Sequence, residues 1–225
     1  MRRFLPPYPY SPALFRHGGR PTAGEDNRLD FSANINPLGP PRSALQAIAR
    51  AWGGVASYPD PECRPLSDLL AARHQVEPAQ VLIGNGSNEL IYLISRAWKP
   101  RRVAIVEPTY TEYLRASLLV GAEVDHWLPE EEAFQPQPFD PGAAELVWLC
   151  QPNNPTGQLW PAGTLAGWVE AHPRVLFVVD EAFLPFLPEE AEYSMIPALR
   201  RLPNLVVLRS LTKFYALPGL RIGYA

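Results

Sequence analysis

Four short runs of nearly unbroken apolar, largely β-branched residues recur in the last two-thirds of the chain: "RVAIV", "ELVWLC", "VLFVVD" and "NLVVL". Helical patterns separate most of them, such as "NELIYLISRAW", "TEYLRASLLVGA" and "AGTLAGWVEAH", with apolar residues three and four apart. A strand that is apolar along its whole length must be covered on both faces, and the intervening helices supply the cover. "QVLIG", "EVDHWL" and the closing "GLRIGYA" add further strands. The predicted fold is therefore α/β, a three-layer α/β/α arrangement with a mostly parallel sheet. In such a sheet, ligands gather at the carboxyl ends of the strands. Residues 1–80 are turn-rich, with two helical patterns, "SALQAIARAW" and "PLSDLLAARHQ". They predict an N-terminal arm and part of a small domain ahead of a main domain spanning residues 81–225.

The charge pattern removes several function classes. The net charge is −3 and no basic run reaches five residues, so nucleic acid and anionic membranes lack an electrostatic footprint. No apolar run is long enough to cross a bilayer, and the N-terminal "MRRFLPPYPYSP" lacks the apolar core of a secretory signal. Cys63 and Cys150 lie far apart and outside any CxxC pattern, which predicts reduced thiols and a cytoplasmic protein.

Several motifs fall at predicted strand ends. "GNGSNE" leads from a strand into a helix, where the amides of Gly86, Ser87 and Asn88 can face an anion at the helix N-terminus. A plain βα turn reads equally well. Tyr110, in "EPTYTEY", can stack on a planar ring or simply pack. Asn154, in "QPNNPTG", projects an amide into a site or serves a turn. Asp180 ends a strongly apolar strand, where a carboxylate is costly without a cationic partner or access to water. Lys213, in "SLTK", becomes more nucleophilic if partly desolvated, and Ser210 and Arg221 flank it.

Taken in order, this set resembles the fold-type I pyridoxal-phosphate enzymes of the class I/II aminotransferase superfamily, over essentially the whole chain. The resemblance implies pyridoxal 5'-phosphate as cofactor and no metal. Lys213 is then its covalent attachment point, Asp180 the partner of the pyridine nitrogen, and Asn154 the partner of the ring's phenolic oxygen. Tyr110 would stack on the ring. Gly86, Ser87, Asn88, Ser210 and Arg221 would hold the phosphate. Tyr58, in "SYPDPEC", matches a tyrosine that reaches the phosphate of the neighbouring subunit, implying a homodimer with shared sites.

"RHGGR" and "LDFSANINPLGPP" narrow the resemblance. They look like the threonine-phosphate decarboxylases of cobalamin biosynthesis more than the related histidinol-phosphate aminotransferases. That likeness implies that His17 and the Gly18 amide meet the phosphate of a phosphorylated amino acid, and that Asn34 lies beside its carboxylate. Without the likeness, His17 reads as an arm histidine. Many aminotransferases have tyrosine at the position of Phe183, and the phenyl ring cannot donate the corresponding hydrogen bond. Relatives also carry a C-terminal small domain whose arginine clamps the substrate carboxylate; residues 1–225 contain no counterpart, so catalytic impairment is a further expectation.

Overall fold

The computed structural model describes residues 17–19, 32–128 and 139–225. The rest of the predicted arm, residues 1–16 and 20–31, lies outside the described residues. Two helices, α1 (Arg42–Ala51) and α2 (Arg64–His74), correspond to the two helical patterns of that arm. Seven strands follow: β1 (Ile83–Gly84), β2 (Arg102–Val106), β3 (Glu123–Trp127), β4 (Leu146–Cys150), β5 (Leu176–Asp180), β6 (Leu205–Ser210) and β7 (Gly223–Tyr224). Helices α3 (Ser87–Trp98), α4 (Glu112–Leu119) and α5 (Ala162–Ala171) link them, with a short α6 (Glu190–Tyr193) before β6.

The strands form one sheet in the order β1-β7-β6-β5-β4-β2-β3. Strands β2 to β6 run parallel, and β7 is antiparallel to both β6 and β1. The alternating side-chain period sorts each central strand onto two cores. Val103 and Ile105 of β2 face Leu90 and Ile91 of α3 and Tyr113, Leu114 and Ala116 of α4. Ala104 and Val106 face the opposite way, toward Leu165, Trp168 and Val169 of α5. Each fully buried Leu, Ile or Val in these layers contributes roughly 1.5–3 kcal/mol, so burial on both faces explains why the strands carry almost no polar residues.

The topology brings the strand ends together. The ends of β1 and β6 and the start of β7 converge, because Gly223 pairs with both Gly84 and Ser210. The antiparallel β7 thereby delivers Arg221 to the edge where the parallel strands finish. Asp180 closes β5, and Asn154 and Tyr110 follow β4 and β2 on the same edge. The segment around Asn36 closes the remaining side. Its amide donates to the Lys213 carbonyl at 3.1 Å, and its Nδ2 donates to the Phe214 carbonyl at 2.9 Å.

Candidate active site

The turn between β1 and α3 forms a cradle bounded by close approaches. Gly86, at φ +82°, is the N-cap of α3. A side chain there would collide with the Arg221 guanidinium, and one on Gly223 would collide with the Ser87 amide. Both positions need glycine, Gly86 for its left-handed backbone as well. The amides of Ser87 and Asn88 open the first turn of α3, where unpaired N–H groups and the helix dipole favour an anion. Asn88 Oδ1 is buried with no partner among the described residues. Ser210 Oγ is buried and shares a hydrogen bond of 2.7 Å with Thr212 Oγ1. Asn85, just before the cradle, is pinned by Glu89, whose carboxylate accepts from its backbone amide and its side chain.

Asp180 is buried at the end of β5. Burial pushes its carboxyl up, opposed by hydrogen bonds from the Tyr113 hydroxyl and the Ala182 amide and by the charges of Lys213 and Arg209. The Tyr113 hydroxyl donates to Oδ2 at 2.8 Å, and the amide donates to Oδ1 at 3.0 Å. Tyr113 is itself immobilised: its ring stacks parallel to Trp148 at 5.2 Å. Tyr110 stands edge-on to Tyr113 at 5.6 Å, with burial pushing its phenol strongly up. Both tyrosines are therefore neutral near pH 7.

Lys213 is half-buried in the loop after β6. Burial lowers the pKa of its amine, the nearby Arg221 charge lowers it further, and Asp180 pulls the other way. A partly desolvated lysine with a depressed pKa supplies more neutral amine for attack on a carbonyl carbon.

Asn154 and Asn34 approach each other, with Asn34 Nδ2 at 3.5 Å from Asn154 Oδ1. They line a cavity of about 450 Å³ together with Ile35, Leu159, Phe183 and Phe186. Among the described residues no charged side chain lines it, and its polar side chains are the amides of Asn34, Asn153 and Asn154. The turn that carries Asn154 is held by Asn153, whose Nδ2 donates to the Pro108 carbonyl at 2.8 Å and whose Oδ1 accepts from Thr109 Oγ1 at 2.8 Å.

His17 also reaches this edge. Its ring lies 5.6 Å from Tyr110, and its Nε2 is 2.7 Å from Glu112 Oε1. Gly18 packs so closely on Ser32 that no side chain fits there, and the Gly19 amide donates to Ser32 Oγ at 2.9 Å. Tyr58 is fully exposed and has no ring contact or hydrogen bond among the described residues. Sequence reasoning singled out Lys213, Asp180, Asn154 and the glycine turn, but passed over Tyr113, Glu112 and Thr212. Tyr113 lies in the first turn of α4 whereas Tyr110 precedes the helix, so helical spacing did not link the two.

The model of the aminotransferase class I and II family matches residues 26–225. The chain belongs to this family. It is 42% identical over 208 residues to the threonine-phosphate decarboxylase of Salmonella typhimurium, covering 88% of this chain and 56% of that protein. It is 37% identical over 208 residues to a histidinol-phosphate aminotransferase of Macrococcus caseolyticus, covering 90% and 59%. Among solved structures, it is similar to the L-threonine-O-3-phosphate decarboxylase of Porphyromonas gingivalis, with a TM-score of 0.78, 29% identity, and coverage of 86% and 58%. The chain spans a little over half the length of these relatives.

Enzymes of the class I and II aminotransferase family depend on pyridoxal 5'-phosphate, and the residues present fit that cofactor. The Gly86–Arg221 cradle and the α3 amides suit its phosphate. Asp180, buried and acceptor-rich, suits a protonated ring nitrogen, and Lys213 suits an aldehyde. Among the described residues, no cluster of metal-ligating side chains occurs and no helix is long and apolar enough to cross a membrane.

Proposed function

We propose that the protein is a pyridoxal-phosphate-dependent decarboxylase of L-threonine O-3-phosphate, yielding 1-aminopropan-2-ol phosphate and carbon dioxide. The observation that carries this reading is His17 beside Tyr110, at 5.6 Å between rings. "HGG" is the feature by which the sequence resembles the decarboxylases, and its histidine sits at the edge where Lys213 and Asp180 lie. The 42% identity to a threonine-phosphate decarboxylase supports the same choice. On this reading the protein serves cobalamin biosynthesis as a cytoplasmic homodimer, with Tyr58 of each subunit completing its partner's cofactor-phosphate site. Residues 81–225 then form the cofactor-binding domain and residues 1–80 an arm with part of a small domain.

The cofactor, when bound, supplies an electron sink for the bond broken at the substrate α carbon. The protein's task is to choose that bond. Asp180 holds a proton at the cofactor's ring nitrogen by keeping a full negative charge beside it. Tyr113 and the Ala182 amide fix the carboxylate in place. Asn34 and Asn154 orient the substrate carboxylate, while His17 and the Gly18 amide hold its phosphate. Anchoring both ends of a small substrate would fix the torsion about its α carbon, and so which of its bonds is presented for cleavage. Presenting the carboxylate for cleavage would lead to loss of carbon dioxide, the bonding electrons passing to the cofactor. Lys213 Nζ then returns a proton to the α carbon.

The 37% identity to a histidinol-phosphate aminotransferase favours a second reading, transamination on the same scaffold. Incubation with L-threonine O-3-phosphate separates the two. Release of carbon dioxide without any requirement for a keto acid supports the decarboxylase. Conversion of 2-oxoglutarate to glutamate without carbon dioxide would overturn it.

A further inference from the structure

Glu112 is a buried carboxylate that none of the steps above uses. It sits in the first turn of α4 with 1% of its surface exposed. The Tyr92 hydroxyl, from α3, donates to Oε2. His17 Nε2 lies 2.7 Å from Oε1, and the exposed Arg115 is 3.7 Å from the same oxygen. The bland role is clear: an acid in a helix's first turn is favoured by the dipole, and its bond to Tyr92 ties α4 to α3. That role accounts for Oε2. It does not account for a histidine from a segment 95 residues away facing Oε1.

An ionised carboxylate can only accept hydrogen bonds, so the imidazole nitrogen facing it must carry the proton. Glu112 therefore selects the Nε2–H form of neutral His17 and leaves Nδ1 without a partner among the described residues. In that form Nδ1 is an acceptor, open to a donor of the ligand such as a phosphate hydroxyl. The arrangement is a chain from carboxylate to imidazole to anion, in which the carboxylate fixes both ring orientation and proton placement. The ring's contact with Tyr110 restrains it from the side.

We infer that Glu112 is a positioning residue that, through His17, builds the subsite for the phosphate of a phosphorylated amino-acid substrate. This rests on the proposed role of His17 as a phosphate contact. Glu112 touches no substrate itself and acts by holding the His17 ring in one orientation and one tautomer.

The test compares the cofactor-loaded wild-type protein with Glu112→Gln, His17→Ala and the double variant. Dissociation constants for L-threonine O-3-phosphate and for L-threonine are read from the change in the cofactor's visible absorbance. Glu112→Gln is expected to weaken binding of the phosphorylated ligand about ten-fold, the scale of one charge-assisted hydrogen bond. His17→Ala should cost a similar factor, and the double variant should add nothing to it. Binding of L-threonine should move less than two-fold throughout. Additive losses, or equal losses for both ligands, overturn the inference. If His17→Ala weakens phosphate-ligand binding and Glu112→Gln does not, only the inference fails. If His17→Ala is silent, the assignment of His17 as phosphate contact fails and the inference falls with it. Imidazole ¹⁵N spectra of the wild-type protein give a check that needs no variant to fold. Neutral His17 should be the Nε2–H tautomer, and the Nδ1–H tautomer overturns the inference.

Discussion

The Tyr113 hydroxyl donates to Asp180 Oδ2 at 2.8 Å from a ring clamped flat against Trp148. The bond supports the carboxylate that we propose pairs with the cofactor's ring nitrogen, and it comes from a residue that the Trp148 stack prevents from turning away. Tyr113→Phe keeps the stack and removes only the donor. A hydrogen bond to a charged group is worth about 1.5–3 kcal/mol. Cofactor affinity should therefore fall about ten-fold or more while the thermal midpoint moves little. Fluorescence titration with pyridoxal 5'-phosphate, set beside a melting curve, checks both halves.

Gly86→Ala should damage the cradle in two ways at once. It forces a side chain into φ +82° and pushes the Arg221 guanidinium out of the space it fills. The backbone penalty alone is about 1–2 kcal/mol. Cofactor dissociation on dialysis should accelerate by at least an order of magnitude relative to wild type. Retention equal to wild type would show that the cradle does not hold the phosphate.

For Lys213 the sign of the pH effect follows from its depressed amine pKa. Between its value in the folded protein and the ordinary value of 10.5, the native state binds fewer protons than the unfolded state. Stability contributed by this site therefore rises with pH across that window, as the penalty for burying the cation is relieved. Urea unfolding of the cofactor-free protein should show that rise, and Lys213→Met should flatten it. Arg221→Ala removes a neighbouring positive charge, so the window should narrow from its lower edge.

Phe183 lines the cavity beside Asn154 and cannot donate a hydrogen bond. Phe183→Tyr introduces a hydroxyl that can reach the ring oxygen assigned to Asn154. The pH curve of the bound cofactor's visible absorbance should shift to lower pH, because the added donor stabilises the phenolate. An unshifted curve would leave Phe183 without a role in the electronics of the site.

Arg209 and Glu181 form a nearly fully buried ion pair at 2.7 Å, with Ser194 and Glu190 completing it. Burial pushes the Glu181 carboxyl up to about 7 against the pull of the arginine. Breaking such a pair strands a buried charge and costs about 3–5 kcal/mol. Arg209→Met should lower the thermal midpoint by several degrees, and Arg209→Met combined with Glu181→Leu should recover part of the loss. A double variant no more stable than the single one would argue that the pair is not the source of the damage.

The sheet was legible because both faces are buried, which leaves apolar runs no other place in a soluble fold. The same reasoning located Asp180, since a carboxylate ending the run "VLFVVD" must have a purpose. It could not reveal Tyr113 or Glu112, whose roles depend on which way α4 rolls against Trp148 and Tyr92. Nor could it supply the contacts of Asn36, because "NINPL" reads locally as a turn. The antiparallel sense of β7 was equally hidden. A two-residue strand carries no direction in its composition, yet that direction brings Arg221 to the site.

The two hydrogen bonds from Asn36 to the loop of Lys213 have a consequence for how the protein matures. One of them spans 178 positions of the chain. A ribosome presents Asn36 long before it presents the lysine it steadies. The early segment must therefore wait, unsatisfied, while five parallel strands assemble, and closing so large a loop is entropically late. The loop of Lys213, proposed to attach the cofactor, is thus steadied by a segment 178 positions away in the chain, and competence to take up the cofactor should follow assembly of the strands between them rather than precede it.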